Sequence, residues 1–252
     1  MSANNKLLNI VIPMAGRGSR FAKVGYSQPK PLIPAHGMPM IELVIKNLTP
    51  NIPHRFVFIC QKEHLENLNL REIFKKSTTN YEVISLDYIT EGAAKTVMLA
   101  EKFINNDNPL MIANCDQYIS TDINKYLNKL ENEKLDGLIM TMTADDPKWS
   151  FVGLENNMVH KVVEKEVISK EATVGIYNFK SGRDFVNAAL EMFKNNDKTN
   201  NEYYVAPAYN YMIKNGSKIG YLNIGSERNG MYGLGIPEDL DFFNSLSEIP
   251  RN

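Results

Sequence analysis

The sequence predicts an α/β fold: one domain with a mixed, mostly parallel central sheet flanked by helices. Two observations carry this. Over residues 1–142, short apolar runs alternate with stretches whose apolar residues recur at helical spacing. Right-handed crossovers turn such a β-α-β order into a parallel sheet. Over residues 143–252 the order changes to a hairpin, a further strand and then helices. No repeat, low-complexity block or linker divides the chain, so residues 1–252 are expected to form one domain with two halves.

Leu8 to Ile12 is a fully apolar run and reads as a buried strand. It feeds a loop with Gly16, Gly18 and Gly25. Pro39 to Leu48 reads as a helix with Pro39 at its start and Ile41, Val44, Ile45 and Leu48 on one face. Arg55 to Cys60 is a strand, Glu63 to Phe74 a helix and Tyr81 to Leu86 a strand. Gly92 to Ile104 is a helix, and Pro109 to Ala113 a strand that runs into Asn114, Cys115 and Asp116. Thr121 opens a helix with Ile123, Tyr126, Leu127 and Leu130 on its face. Leu138 to Met142 is the next strand. Phe151 to Leu154 and Met158 to Val163 flank Glu155-Asn156-Asn157 as a hairpin. Thr173 to Phe179 is a strand. Ser181 and Asp184 form a capping-box pattern before a helix with Phe185, Ala189 and Met192 on its face. Asn195 to Asn201 is a polar loop. Val205 to Lys214 is helical, Lys218 to Asn223 a strand, and Pro237 to Leu246 a closing helix.

The totals narrow the classes. The 252 residues are 43% hydrophobic and 23% charged, an ordinary globular balance. The formal charge of -1 argues against a general nucleic-acid binder. No apolar run approaches the roughly 20 residues of a membrane span. The opening MSANNKLLN lacks an apolar segment behind a basic one, so no secretory leader is expected. Cys60 and Cys115 read as buried, reduced thiols, with a disulfide as the lesser alternative, which fits the cytoplasm. His36, His54, His64 and His160 show no ligand spacing. Trp149 and the twelve methionines read as core or rim packing.

The chemistry concentrates at the first loop. Arg17, Arg20, Lys23 and Lys30 follow the first strand, and no acidic residue precedes Glu42. Glycines let backbone N–H groups turn toward an anion, and cations at the same edge add full charges. Together they predict a polyphosphate site at the carboxyl end of the first strand. Arg17 and Lys23 read equally well as solvated loop charges. Asp116, just after an apolar strand, stands where ligands gather in open α/β sheets.

The run Met14-Ala15-Gly16-Arg17-Gly18-Ser19-Arg20-Phe21, followed by Pro29-Lys30-Pro31-Leu32, resembles the nucleotidyltransferase family that makes nucleotide-sugars. The likeness extends over most of the chain. Thr90-Glu91-Gly92-Ala93-Ala94 resembles the family's base-reading segment, and Asn114-Cys115-Asp116 its metal-aspartate segment. Val163-Glu164-Lys165 resembles its acceptor Glu-Lys pair. Val174 to Tyr177 and Asn201 to Tyr204 match segments lining the acceptor pocket.

The resemblance implies a Rossmann-like domain of the nucleotide-diphospho-sugar transferase type. Residues 1–142 would bind the nucleoside triphosphate and 143–252 a small phosphorylated acceptor. Met14, Ala15, Gly16, Arg17, Gly18, Ser19, Glu91, Gly92, Ala93 and Asn114 would contact the nucleotide. Gly153, Glu164, Lys165, Gly175, Glu202 and Tyr203 would contact the acceptor. Arg20 would bind the departing phosphates and Lys30 steady the α-phosphate. Asp116 would hold Mg2+, and Lys165 grip the acceptor phosphate. Without the resemblance, the charge alternation KVVEKE around Glu164 and Lys165 would read as a solvated edge, and Glu202 to Tyr204 equally as a packed helix start.

One departure stands out. Many members carry a second metal-binding Asp near the C-terminus, and here Gly233 occupies that place. Water, substrate phosphates, Glu227, Glu238 or Asp239 are left to replace it. The form Ala-Gly-x-Gly-Ser-Arg-Phe is similar to that of cytidylyltransferases acting on phosphocholine-type acceptors, which favours CTP. A UTP- or dTTP-dependent sugar-1-phosphate enzyme and a non-catalytic nucleotide-binding homologue are the alternatives. A glycosyltransferase fits less well, because Asn114-Cys115-Asp116 keeps only the last Asp of an Asp-x-Asp motif. A dehydrogenase fits less well still, because no acidic residue ends a second strand about 20 residues after the glycines. By family context the products would feed capsule or envelope glycans. No nucleic acid or membrane partner is expected, and a homo-oligomer is left open.

Overall fold

The structure is a computed structural model, and it describes residues 6–16, 18–67 and 69–251. Arg17 lies outside the described residues. In chain order, β1 (Leu8–Met14) leads through the loop to α1 (Ser19–Ala22) and a 3-10 turn at Lys30–Leu32. A small hairpin follows, β2 (Pro34–Ala35) and β3 (Met38–Pro39), and then α2 (Met40–Leu48). β4 (His54–Gln61), α3 (Lys62–Asn67), α4 (Leu70–Ser77) and β5 (Tyr81–Leu86) come next. They are followed by α5 (Ala93–Met98), α6 (Glu101–Ile104), β6 (Leu110–Ala113), β7 (Gln117–Ile119) and α7 (Ile123–Asn132). The second half holds β8 (Gly137–Thr143), the hairpin β9 (Ser150–Glu155) and β10 (Met158–Glu164), and β11 (Glu171–Phe179). It closes with α8 (Gly182–Lys194), α9 (Ala208–Lys214), β12 (Ile219–Glu227), β13 (Gly230–Gly233) and α10 (Pro237–Ser245).

The sheet runs β5-β4-β1-β6-β11-β8-β12-β13-β7, with β9 and β10 attached beside β11. β5, β4, β1 and β6 are parallel neighbours. β11 enters antiparallel between β6 and β8, so β8 points the same way as β6 without touching it. Alternation sorts side chains to the two faces. Leu8, Ile10, Ile12 and Met14 of β1 join Phe56, Phe58 and Cys60 of β4 under α2, α4 and α7. Val11, Val57 and Ile59 face the other way, under α5, α6, α8 and α9. Each fully buried Leu or Ile contributes about 1.5–3 kcal/mol.

The register of β11 on β8 shifts between Thr173 and Tyr177, where Gly175 has φ +81°. Tyr126 and Tyr209, one from each face, donate hydrogen bonds to the Leu138 carbonyl, at 2.5 and 3.3 Å. Tyr126 also reaches the Ile176 carbonyl at 3.3 Å and Tyr209 the Asn178 carbonyl at 2.9 Å, so β11 is tied to β8 from both faces of the sheet around the end of the bulge.

Several expectations need correction. The helix expected over 63–74 is two, and the second starts at Leu70, where the Asn69 carbonyl accepts from the Glu72 and Ile73 N–H groups and Leu70 and Phe74 are buried. The helix expected over 92–104 also breaks. Leu99 and Ala100 bond to carbonyls three residues back and tighten the turn. Asp122, not Thr121, caps α7, accepting from the Asn124 N–H at 2.9 Å. The capping box at Ser181 is not made. Its hydroxyl donates instead to the Asn106 carbonyl at 3.0 Å, tying α8 to the turn before β6. The last helical stretch before β12 begins at Ala208, three residues later than expected. β7 and β13 were not expected, because each is too short to show an alternation. Both cysteines are free and buried, on β4 and just after β6 with β1 between them.

Candidate nucleotide-transfer site

The loop after β1 and the turn after β6 lie at adjacent carboxyl ends of parallel strands. Gly18 takes φ +60°, and a Cβ there would stand 3.1 Å from the Lys30 Cβ. The glycine loop is therefore folded onto the 3-10 turn that carries Lys30. Lys30 Nζ donates to Asp116 Oδ2 at 2.8 Å, with both side chains about a quarter exposed at 22% and 25%. Burial by itself would pull the Lys30 ammonium down. The Asp116 carboxylate outweighs it and holds the ammonium above the ordinary lysine range.

Three cavities meet here. The first, about 240 Å3, lies between Ala15, Gly16, Ile89, Thr90, Gly92, Ala93 and Glu202. Gln61 ties the loop after β1 to the segment before Ile89, donating to the Ala15 carbonyl at 2.6 Å and the Tyr88 carbonyl at 3.1 Å. The second, about 350 Å3, is lined by Arg20, Asn114, Lys148, Trp149, Ser150, Glu164, Lys165, Gly175 and Tyr204. The third, about 200 Å3, is lined by Arg20, Asn114, Asp116, Gln117, Trp149, Gly233, Gly235 and Asp239. Arg20 and Asn114 belong to the second and third, and Ala93 and Tyr204 to the first and second. A larger cleft of about 450 Å3, by Lys46, Asn47, Tyr118 and Arg251, holds none of the expected residues.

The two halves of the chain are locked together at Gly92. Its φ is +109°, and a Cβ would lie 2.6 Å from both N and O of Tyr203. Tyr203 N–H donates to the Glu91 carbonyl at 2.8 Å, and the Ala94 N–H donates to the Tyr203 carbonyl at 2.9 Å. Lys198 adds an ion pair to Glu91 at 2.7 Å.

In the second cavity Glu164 accepts from the Ser150 hydroxyl. Burial pushes the Glu164 carboxyl above the usual carboxylate range, against the pull of Ser150 and Lys165. Lys165 takes φ +58°, an uncommon conformation for a lysine, and bonds through its N–H to the Trp149 carbonyl at 3.0 Å. Its ammonium stands 5.2 Å from the Tyr204 ring centre, and the Tyr204 hydroxyl raises its pKa. Burial pushes the Cys115 thiol up to about 11 and the Cys60 thiol up to about 12, so neither is a thiolate nucleophile near neutral pH.

The structure brings together Ala15, Gly16, Arg20, Lys30, Gly92, Ala93, Asn114, Asp116, Glu164, Lys165 and Gly175. Others stand elsewhere. Glu202 lines the first cavity and not the second, where Glu164 and Lys165 lie. Tyr203 is 4% exposed, and its ring packs on Phe193 while its backbone forms the lock. Gly153 lies within β9 against His160 and lines none of the three cavities. Met14 belongs to the core, Ser19 opens α1, and Glu91 serves the lock. Gly175 makes room for the Asn114 amide, which a Cβ would meet at 2.1 Å. Tyr204, weighed as a contact from the sequence, lines the first and second cavities, whereas Gln117, Lys148, Trp149 and Ser150 line these cavities and were missed as site residues. Only Trp149 carried a signal, as the single tryptophan of the chain.

The donor chemistry fits a hard divalent cation. Such ions take oxygen ligands, and Mg2+ is held by one or two carboxylates with substrate phosphates. Asp116 offers its carboxylate at the sheet edge, where a Cβ on Gly235 would come within 2.5 Å of Oδ2. Of the three acids that could replace one at Gly233, Glu227 pairs with Lys148 and Glu238 is 81% exposed. Only Asp239 lines the cavity with Asp116. Among the described residues no group of three or more His, Cys, Asp or Glu is placed to hold a metal ion.

A mixed, mostly parallel sheet carries a glycine loop, a Lys–Asp pair and three adjoining cavities at one edge, the architecture of a nucleotide-diphospho-sugar transferase-type fold. The chain belongs to the nucleotidyl transferase family, whose model matches residues 10–223. It is 25% identical over 224 residues to the bifunctional protein GlmU of Methanococcus maripaludis, a match that covers 84% of this chain and 49% of that protein. The chain thus spans about half the length of the curated relatives it matches. It is also similar to the crystal structure of the nucleoside-diphosphate-sugar pyrophosphorylase of Vibrio cholerae RC9. There the TM-score is 0.80 and the identity 26%, over 94% of this chain and all of the other. The inositol-1-phosphate CTP transferase of T. maritima shares the fold alone, with a TM-score of 0.70 and 12% identity over 97% of this chain and 98% of the other. No helix among the described residues is long and apolar enough to cross a membrane.

Proposed function

We propose that the protein transfers a nucleoside monophosphate, with CMP favoured, from a nucleoside triphosphate to a small phosphorylated acceptor and releases pyrophosphate. The observation that carries this reading is the position of Arg20. It lies between the cavity with Lys165 and Glu164 and the cavity with Asp116, beside the Lys30–Asp116 pair.

An acceptor phosphate oxygen forms a bond to the α-phosphorus, and the bond from that phosphorus to the pyrophosphate oxygen breaks. The acceptor phosphate is largely dianionic at pH 7, its second pKa being about 6, so no general base is required. The task is to hold two anions together against their repulsion. Lys165 grips the acceptor phosphate, and Glu164 accepts a hydrogen bond from an acceptor hydroxyl or amine. Lys30 and Arg20 neutralise charge on the triphosphate. The segment Thr90 to Ala93 receives the base. Mg2+ bound at Asp116 would add charge neutralisation on the phosphates. A cytoplasmic setting and a product feeding envelope glycans belong to this reading.

A sugar 1-phosphate acceptor with UTP or dTTP is the second reading, favoured by the likeness to the nucleoside-diphosphate-sugar pyrophosphorylase of Vibrio cholerae. The test incubates the protein with each triphosphate against sugar 1-phosphates, phosphocholine and amino-acid phosphates and measures pyrophosphate. Release with CTP is expected. Release only with UTP or dTTP overturns the CTP assignment, and no release with any pair marks a non-catalytic binder.

A further inference from the structure

Gly233 and Gly235 each face a carboxylate. A Cβ on Gly235 would lie 2.5 Å from Asp116 Oδ2, and one on Gly233 would lie 3.1 Å from Asp239 Oδ2. The turn after β13 brings Asp239 back to this place in the first turn of α10. Arg228 Nη2 takes Asp239 Oδ1 at 3.2 Å, and the other oxygen, Oδ2, is the one against Gly233. Glu238 shares the same arginine at 3.3 Å but is 81% exposed, whereas Asp239 is 15% exposed. The two aspartates line one cavity of about 200 Å3.

A second observation points to a ligand in that cavity. Gln117 lines it, is 6% exposed, and its Nε2 has no hydrogen-bond partner. The Trp149 indole Nε1, in the same lining, is also buried without a partner. Buried donors left unsatisfied are destabilising unless an oxygen ligand meets them. Phosphate oxygens or water on a cation supply that.

We infer that Asp239 replaces the carboxylate that Gly233 lacks, so that Asp116 and Asp239 together hold a divalent cation in the cavity they share with Gln117. The donor reaches the site from a helix start instead of from the strand. The inference rests on the transfer reading for the phosphates that would complete the ligand set, but the two carboxylates can be tested alone.

Mn2+ alone is titrated into the full chain and free Mn2+ is read by electron paramagnetic resonance. Wild type is expected to bind. D116N and D239N are each expected to raise Kd about tenfold or more. E238Q, which shares Arg228 but is exposed, is expected to leave it unchanged. D239A/G233D, which returns a carboxylate to the strand, is expected to regain affinity. Should D239N fail to fold, G233A serves in its place, because its methyl group crowds Oδ2 without altering the helix. It too is expected to weaken Mn2+ binding. No Mn2+ binding by wild type, or equal affinity in wild type and in D239N or G233A, overturns the inference. Pyrophosphate release tests the transfer reading separately. Turnover by a wild type whose Mn2+ affinity ignores D239N sinks only the Asp239 assignment. Absence of turnover with a D239N-sensitive Mn2+ site sinks only the transfer reading.

Discussion

Lys30 and Asp116 meet across 86 positions of sequence, Nζ to Oδ2 at 2.8 Å, at the edge where the first strand's loop faces the end of β6. Neither charge has a second ion-pair partner within 4.0 Å among the described residues. Lys30→Met therefore leaves a partly buried carboxylate uncompensated and is expected to destabilise the fold by about 1–2 kcal/mol, below the range for fully buried pairs. Turnover is expected to fall about 100-fold or more through lost charge neutralisation. Adding Asp116→Asn should recover stability, read by calorimetry, without recovering pyrophosphate release. A double variant as unstable as the single one contradicts the pairing.

Gly92→Ala places a methyl group against the Tyr203 backbone at 2.6 Å and at φ +109°. The strain is expected to be about 2 kcal/mol, which lowers Tm by about 4–8 °C in a chain of this size. KM should rise for nucleotide and acceptor alike, because the segment on each side of the lock must shift. A rise confined to one substrate argues against the lock.

Lys165 separates stability from activity. Lys165→Gly relieves the left-handed backbone at φ +58° and is expected to stabilise by about 1 kcal/mol. The same change removes the ammonium, so acceptor KM should rise while nucleotide binding, followed by calorimetric titration, stays as in wild type. Lys165→Ala should show the loss without the gain.

Burial raises the Glu164 carboxyl above its unfolded value. For a raised pKa, the associated stability is full below the unfolded value and is lost as pH rises through the folded value. Wild type should therefore lose part of its stability as pH climbs from the ordinary glutamate range toward neutrality. Glu164→Gln should flatten that part of the profile, since its amide oxygen still accepts from Ser150. Parallel unfolding curves for the two proteins across this window would contradict the assignment.

The first 142 residues were legible because their signals are local. β1 and β6 are continuous apolar runs, and Arg20, Lys30 and Asp116 follow them in the chain. Residues 143–252 were less so. Trp149 read as packing and Tyr203 equally as a contact or a packed helix start, yet the tryptophan lines the cavity and the tyrosine is a strut. Which of two adjacent residues turns inward depends on the bulge at Gly175 and the positive φ at Lys165, and neither has a periodic signature. Asp239 shows the same limit. In sequence it is an acid in a helix's first turn, and only the return of the chain after β13 sets it opposite Asp116.

β11 runs against its neighbours β6 and β8, so the opening residues of one strand stand beside the closing residues of the other, with Asn114 N–H donating to the Gly175 carbonyl at 3.1 Å. The crest of the sheet is thus a seam stitched from strand exits on one side and strand entries on the other. Lengthening or recutting the stretch between Glu164 and Glu171 would redraw the hollow around Lys165 while the glycine loop folded onto Lys30 across the seam kept its shape.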